Sequence, residues 1–197
     1  MNKSFRIAAA GLAALCAGTL VAAPAPAAPA RAINPEIEVL GVSGSGCTKD
    51  STSVVTDPDG NFVTAIYDGF SARTPATPAL KACTVNLKLT VPQGHRVGLR
   101  RAAYAGEAVV RSTGKVEFKA KYFFQGSSKT EVKPGWTQDG SYDGSWGTEH
   151  VLDNFWGPRC GGQEQLIITQ NLKSSGAGTN LINLNYATMW DFAVERC

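Results

Sequence analysis

Charge is scarce in this chain. Only 18% of its 197 residues are Asp, Glu, Lys or Arg, with 19 cations, 16 acids and a formal net charge of +3. Lys3 and Arg6 fall in a segment read below as a removable leader, so the remainder carries about +1. That balance excludes the basic footprint of a nucleic-acid binder or a polybasic membrane-surface protein. No apolar run beyond Ala23 is long enough to span a bilayer, so no membrane anchor is expected. Helical signal is missing too: no long segment repeats its apolar residues every 3.6 positions. Histidine is confined to His95 and His150, and neither Gly-x-Ser-x-Gly nor His-Glu-x-x-His occurs. Gly44-Ser45-Gly46 runs into Cys47 rather than a helix, which removes the Gly-rich phosphate cradle. No catalytic group, cofactor or metal is therefore assigned.

What is present points to an exported β protein. Met1–Arg6 carries two positive charges, Ile7–Ala23 is apolar and Ala-rich, and small residues and prolines follow. This is the order of a secretory signal peptide, expected to occupy residues 1–27 and to be cut after Ala27. Cys16 lies inside it behind Leu15 rather than a small residue, so it reads as a discarded leader residue and not a lipid anchor. Residues 28–35 form an Ala/Pro lead-in, and residues 36–197 form the secreted, extracellular domain. Cys47, Cys83, Cys160 and Cys197 remain, an even number suited to an oxidising compartment. Their spacing lacks the close pairs of a zinc site. Three pairings are possible. Cys47–Cys83 with Cys160–Cys197 is favoured, because each then closes a local loop of about 37 residues, with roughly 3–4 kcal/mol of stabilisation apiece in the chain-entropy model.

Period-two patterning recurs along the domain. Ile37 and Val39 alternate with Glu38 and Leu40. Ser53–Val55 and Phe62–Tyr67 flank Asp57-Pro58-Asp59-Gly60, a turn whose Pro and Gly suit a hairpin. Cys83, Val85, Leu87, Leu89 and Val91 point one way, with Thr84, Asn86, Lys88 and Thr90 opposite. Val116, Phe118, Ala120, Tyr122 and Phe124 alternate with Lys115, Glu117, Lys119 and Lys121, whose charges mark a solvent face. Val97–Leu99, Tyr104–Val110 and Phe192–Cys197 read as further strands, and Leu166–Leu172 with Leu181–Met189 as a second hairpin around Ser174–Gly178. Eight to ten short strands of this kind predict an all-β antiparallel sandwich, jelly-roll-like, in a single domain with two disulfides.

The residues also resemble a family. Gly44-Ser45-Gly46-Cys47, Asp59-Gly60 before Phe62–Phe70, Cys83-Thr84-Val85-Asn86-Leu87 and Val91-Pro92-Gln93-Gly94 are similar to stretches of the secreted domain of unknown function 4360 family. So are Tyr122-Phe123-Phe124-Gln125-Gly126, Trp156–Cys160 and the C-terminal cysteine. The likeness runs from about Glu36 to Cys197. It departs at Arg159, where the family tends to have Pro, at Val194, where it tends to have Trp, and at Ala105, where Arg is common. The resemblance implies export, a β-rich fold and two disulfides, and no activity.

Pro134–Gly162 is the most unusual stretch, with Trp136, Trp146 and Trp156, three of the chain's four tryptophans, beside Tyr142 and Phe155. Flat rings on loops can stack on sugar faces while acids accept hydrogen bonds from hydroxyls. Trp136, Tyr142, Trp146, Asp139 and Asp143 are therefore the candidate binding residues, and Trp136 the ring expected to be most exposed. The plainer alternative is that the rings plug the core; Trp190 is expected to be core. Asp139, Asp143, Glu149 and Asp153 could instead furnish a glycosidase pair, with His150 nearby. Asp139–His150 also grazes a calcium-loop pattern, but its twelfth position is His150 rather than Glu. The leading expectation is a non-enzymatic binder of glycan or cell-envelope polymer. The alternatives are an extracellular hydrolase using carboxylates of 139–153, and a structural or inhibitory domain that binds a protein.

Overall fold

The computed structural model describes residues 33–75 and 79–197. The expected leader, 1–27, and most of the expected lead-in, 28–35, fall outside the described residues. Twelve strands, and no helix, make up the described part: β1 (Glu36–Ser43), β2 (Thr52–Thr56), β3 (Phe62–Tyr67), β4 (Ser71–Arg73), β5 (Leu80–Val91), β6 (His95–Val110), β7 (Lys115–Phe124), β8 (Thr130–Asp139), β9 (Tyr142–Val151), β10 (Gly162–Ser175), β11 (Leu181–Asn183) and β12 (Thr188–Arg196). They form two antiparallel sheets. One has the order β1-β5-β10-β7-β8. The other has the order β2-β3-β12-β6-β11-β4, with β9 on the free flank of β6.

The alternation explains the layering. Cys83, Val85, Leu87, Leu89 and Val91 of β5 are buried, as are Val116, Phe118, Ala120, Tyr122 and Phe124 of β7. They meet Val97, Leu99, Tyr104, Trp190 and Phe192 of the other sheet in one core. Each fully buried Leu or Phe removes apolar area worth about 1.5–3 kcal/mol. The β2–β3 hairpin forms around Asp57–Gly60 as predicted, with Gly60 at positive φ donating its N–H to the Asp57 carbonyl at 3.0 Å. The two disulfides are Cys47–Cys83 and Cys160–Cys197.

Three expectations need correction. Val97–Leu99 and Tyr104–Val110 are one strand, β6, bent by a bulge: Leu99 pairs with Phe192 and Arg101 with Asp191, so Arg100 is the extra residue. Leu166–Leu172 and Leu181–Met189 are not a hairpin. β10 lies between β5 and β7, whereas β11 joins the opposite sheet. Period two shows that a strand has a buried face but not which sheet it joins. The crossing is held by buried Asn180, whose Oδ1 accepts from the Arg111 N–H at 2.7 Å and whose Nδ2 donates to the carbonyls of Ser175 and Ala177. Finally, the Gly-rich stretch read as loop is the β8–β9 pair. The two strands belong to opposite sheets and turn at Gly140, arching over the flank of the sandwich.

Candidate functional site

That arch decides where the predicted rings go. β8 bulges where Gly135 and Trp136 together oppose Phe118, and Gly135 is pressed against the Phe118 ring. The bulge turns Trp136 inward. Its ring stacks on Trp146 with centroids 5.5 Å apart and an interplanar angle of 15°, and Trp146 continues onto Phe118 at 5.2 Å. Tyr142 meets Trp136 edge-on at 5.3 Å. Trp146 is only 4% exposed, and its Nε1 donates to the carbonyls of Glu107 and Asn183. The structure brings Trp136, Tyr142 and Trp146 together, but as packing. Trp146 is a core residue, as the alternative reading of the rings had it, and Trp136 is half-buried. Tyr142 donates its hydroxyl to the Ser145 carbonyl. Asp139 pairs with Lys115 at 3.1 Å. Asp143 is exposed on the outer face of β9, and with Tyr142 and Arg111 it lines an open cleft of about 470 Å³.

The two carboxylates of β9 do not converge. Asp143 and Glu149 share a face of β9, but at ~3.3 Å per residue they stand about 20 Å apart, beyond the 5–10 Å of a glycosidase pair. His150 points to the other face and is 4% exposed. Because β9 is extended, the residues of the calcium-loop pattern do not close around a point.

A better-formed site lies at the start of β6, on the outside of the same sheet. After Val151 the chain follows β6 irregularly: Leu152 donates its N–H to the Arg100 carbonyl, Leu99 to that of Phe155, and Gly157 to that of Val97. Leu152 and Phe155 turn inward and are buried, while Trp156 is placed outside, over Gly98. A Cβ on Gly98 would lie 2.6 Å from Trp156 Cε3, so glycine is what admits the ring. Gly98 pairs with Ala193, another small residue, and Arg96 pairs with Glu195. The Arg96 Nε donates to Glu195 at 2.6 Å, and its guanidinium carbon lies 5.2 Å from the Trp156 centroid. The bulge presents Arg100, whose Nη2 is 2.7 Å from Asp191 Oδ2. Asp153 and Asn154, the latter at φ 59°, form the far wall. The resulting cleft measures about 600 Å³, within the range of small-ligand sites. It offers one indole, a small-residue floor, and guanidinium, carboxylate and amide groups that can both donate and accept.

Further along the outer face, β6 presents Glu107. Its Oε1 accepts from the Tyr186 hydroxyl at 2.8 Å, and its Oε2 from Asn185 and Asn183 at 3.4 and 3.5 Å. Those donors, Tyr186 foremost, hold the carboxyl below its ordinary range, so it stays charged.

The fold and its outer cleft define a two-sheet, disulfide-linked β-sandwich with an aromatic and polar surface site. The chain belongs to the family described as domain of unknown function (DUF4360), which matches residues 34–195. None of the curated proteins matches it. Among solved structures, it is similar to TmCBM61 determined in complex with β-1,4-galactotriose (15% identity, 79% of this chain and 87% of that one, TM-score 0.30). It is also similar to the xylan-binding module CBM15 (13% identity, 80% and 97%, TM-score 0.31). At these TM-scores neither likeness carries an argument about this chain.

Proposed function

We propose that the protein is a secreted, non-enzymatic glycan-binding domain whose site is the Trp156 cleft. The observation that carries this reading is the Trp156 indole seated over Gly98 and ringed by Arg96, Arg100, Asp153, Asn154 and Glu195. A sugar presents C–H faces to a ring and hydroxyls that both donate and accept, and this set answers both. Anionic ligands are disfavoured, because the Arg96 and Arg100 charges are already met by Glu195 and Asp191 while Asp153 adds a negative charge. The two disulfides suit an oxidising compartment and support the export expected from the leader.

The test is titration of the folded domain against a panel of neutral and acidic polysaccharides, followed by tryptophan fluorescence and calorimetry. Saturable binding that Trp156→Ala abolishes, with circular dichroism unchanged, is expected. No response across the panel, or a response indifferent to Trp156→Ala, overturns the proposal.

A further inference from the structure

The Trp156 cleft is one end of a longer feature. β6 runs for sixteen residues, and its outward side chains after the bulge are Arg101, Ala103, Ala105, Glu107 and Val109. The strand partners facing this row are also small in the middle: Ala105 pairs with Gly147, and Glu107 with Ser145. Beyond Glu107 the same strand reaches Val109, which pairs with Asp143 and forms part of the cleft that holds Tyr142. Two open clefts therefore lie at opposite ends of one strand, and between them the face is small at Ala103, Ala105, Gly147 and Ser145 and is crossed by the Arg101–Glu149 pair and by Glu107. Beside this floor stands Tyr186, 42% exposed and anchored by its hydroxyl to Glu107.

The cations on β6 itself are matched by acids. Arg96 pairs with Glu195, Arg100 and Arg101 with Asp191, and Arg101 with Glu149. Glu107, by contrast, is held by neutral donors alone, so its charge adds to a path that already repels polyanions. Arg111, at the far cleft, has no such pair but shares that cleft with Asp143, so acids outnumber cations along the path and the surface suits hydroxyl-rich, uncharged chains better than acidic ones.

Resting on the glycan-binding reading above, we infer that the ligand is a linear, neutral polysaccharide lying along β6 from the Trp156 cleft, past Tyr186 and Glu107, to the Tyr142–Asp143 cleft. At ~3.3 Å per residue, Gly98 to Val109 spans about 35 Å, room for roughly seven pyranose units. Internal stretches of a chain, rather than its ends, are then what the domain holds.

The experiment uses cello-, xylo- and malto-oligosaccharides of increasing length, titrated against the folded domain and two variants. Ala105→Trp fills the floor between the clefts without touching either one, and Tyr186→Ala removes the ring beside it. In the parent, affinity should rise by roughly tenfold or more from the disaccharide to the hexasaccharide. Ala105→Trp should abolish that gain while leaving short sugars bound with Trp156-dependent quenching. Tyr186→Ala should reduce the gain. If short sugars bind through Trp156 but affinity is flat with length, or Ala105→Trp leaves the gain intact, the extended path is wrong and the cleft reading survives. If no sugar of any length binds, both fall.

Discussion

The Tyr122 hydroxyl of one sheet lies 2.7 Å from His150 Nδ1 of the other. It is the middle link of a buried chain. Trp190 Nε1 lies 3.1 Å from the Tyr104 hydroxyl, which lies 2.8 Å from that of Tyr122. Indole N–H can only donate. The arrangement that leaves no hydroxyl proton idle runs from Trp190 to Tyr104 to Tyr122 to His150 Nδ1, which puts the imidazole proton on Nε2. Burial pushes both phenols above their usual range. These are uncharged groups that hold the two sheets in register from inside, with no reactive function assigned to them.

His150 gives this chain a pH signature. Burial, helped by the charge of Lys133 and offset in part by the Pro134 carbonyl, pushes its pKa down from 6.5 to about 4. Between those values the unfolded chain takes up a proton that the native imidazole refuses, so stability falls as pH drops from 6.5 to about 4. The loss should approach about 2–3 kcal/mol. Glu164 works in the opposite direction. Burial raises its carboxyl above 4.5, so it costs stability as pH climbs through that region. The difference between parent and His150→Phe in urea melts across pH 4–7 isolates the histidine. A difference independent of pH would show that His150 is not held neutral.

Tyr122→Phe should destabilise the domain by about 1–3 kcal/mol, because it strands two buried polar groups rather than one. His150 Nδ1 loses its donor and Tyr104 its acceptor. Combining Tyr122→Phe with His150→Phe should cost less than the sum of the two changes, since the second removes a group the first left unpaired. Additive losses in denaturant midpoints would mean that the chain is not coupled.

What could be read from the sequence depended on how local the signal was. β5 and β7 were legible because each carries an apolar face and a Thr, Asn or Lys face at strict period two. The β2–β3 turn was legible from Asp57–Gly60. The arch of β8 and β9 was not: glycine stands on both faces of β9, and the bulge at Gly135–Trp136 breaks the register of β8, so alternation is hidden. Nor could periodicity show that β10 and β11 part into different sheets, since that rests on Asn180 contacts with Thr74 and Arg111, distant in sequence. The Trp156 cleft needs Gly98, Ala193 and Trp156 in one place, three residues far apart along the chain. One clue was available: Gly98 stands between Val97 and Leu99 inside a strand, and a glycine there often marks close approach by another group.

The Cys160–Cys197 bridge joins the segment just after Trp156 to the end of the strand that bears Glu195. Cys197 also donates its N–H to the Gly94 carbonyl at 3.0 Å. Replacing both cysteines by serine should cost roughly 2–4 kcal/mol. It should also weaken glycan binding more than the corresponding Cys47/Cys83 pair does, because only the former fastens a wall of the cleft. Equal binding losses in the two variants, measured well below their melting temperatures, would refute this division.

Gly98→Val offers the sharpest separation of fold from site. Gly98 is buried beneath Trp156 and the Phe155 carbonyl, the latter 2.9 Å from where a Cβ would stand. Valine is at home in a strand, so the two sheets and the inward faces of Val97 and Leu99 should form as before. The indole, however, must leave the position it now occupies, and with it goes the stacked Arg96 guanidinium. The expected result is a folded domain, with near-parent far-ultraviolet circular dichroism and intact disulfides, that has lost at least about 1–2 kcal/mol of glycan affinity. Gly98→Ala should fall between the two. If Gly98→Val binds as the parent does, the ring over Gly98 does not form the binding surface, whatever the remainder of the cleft contributes.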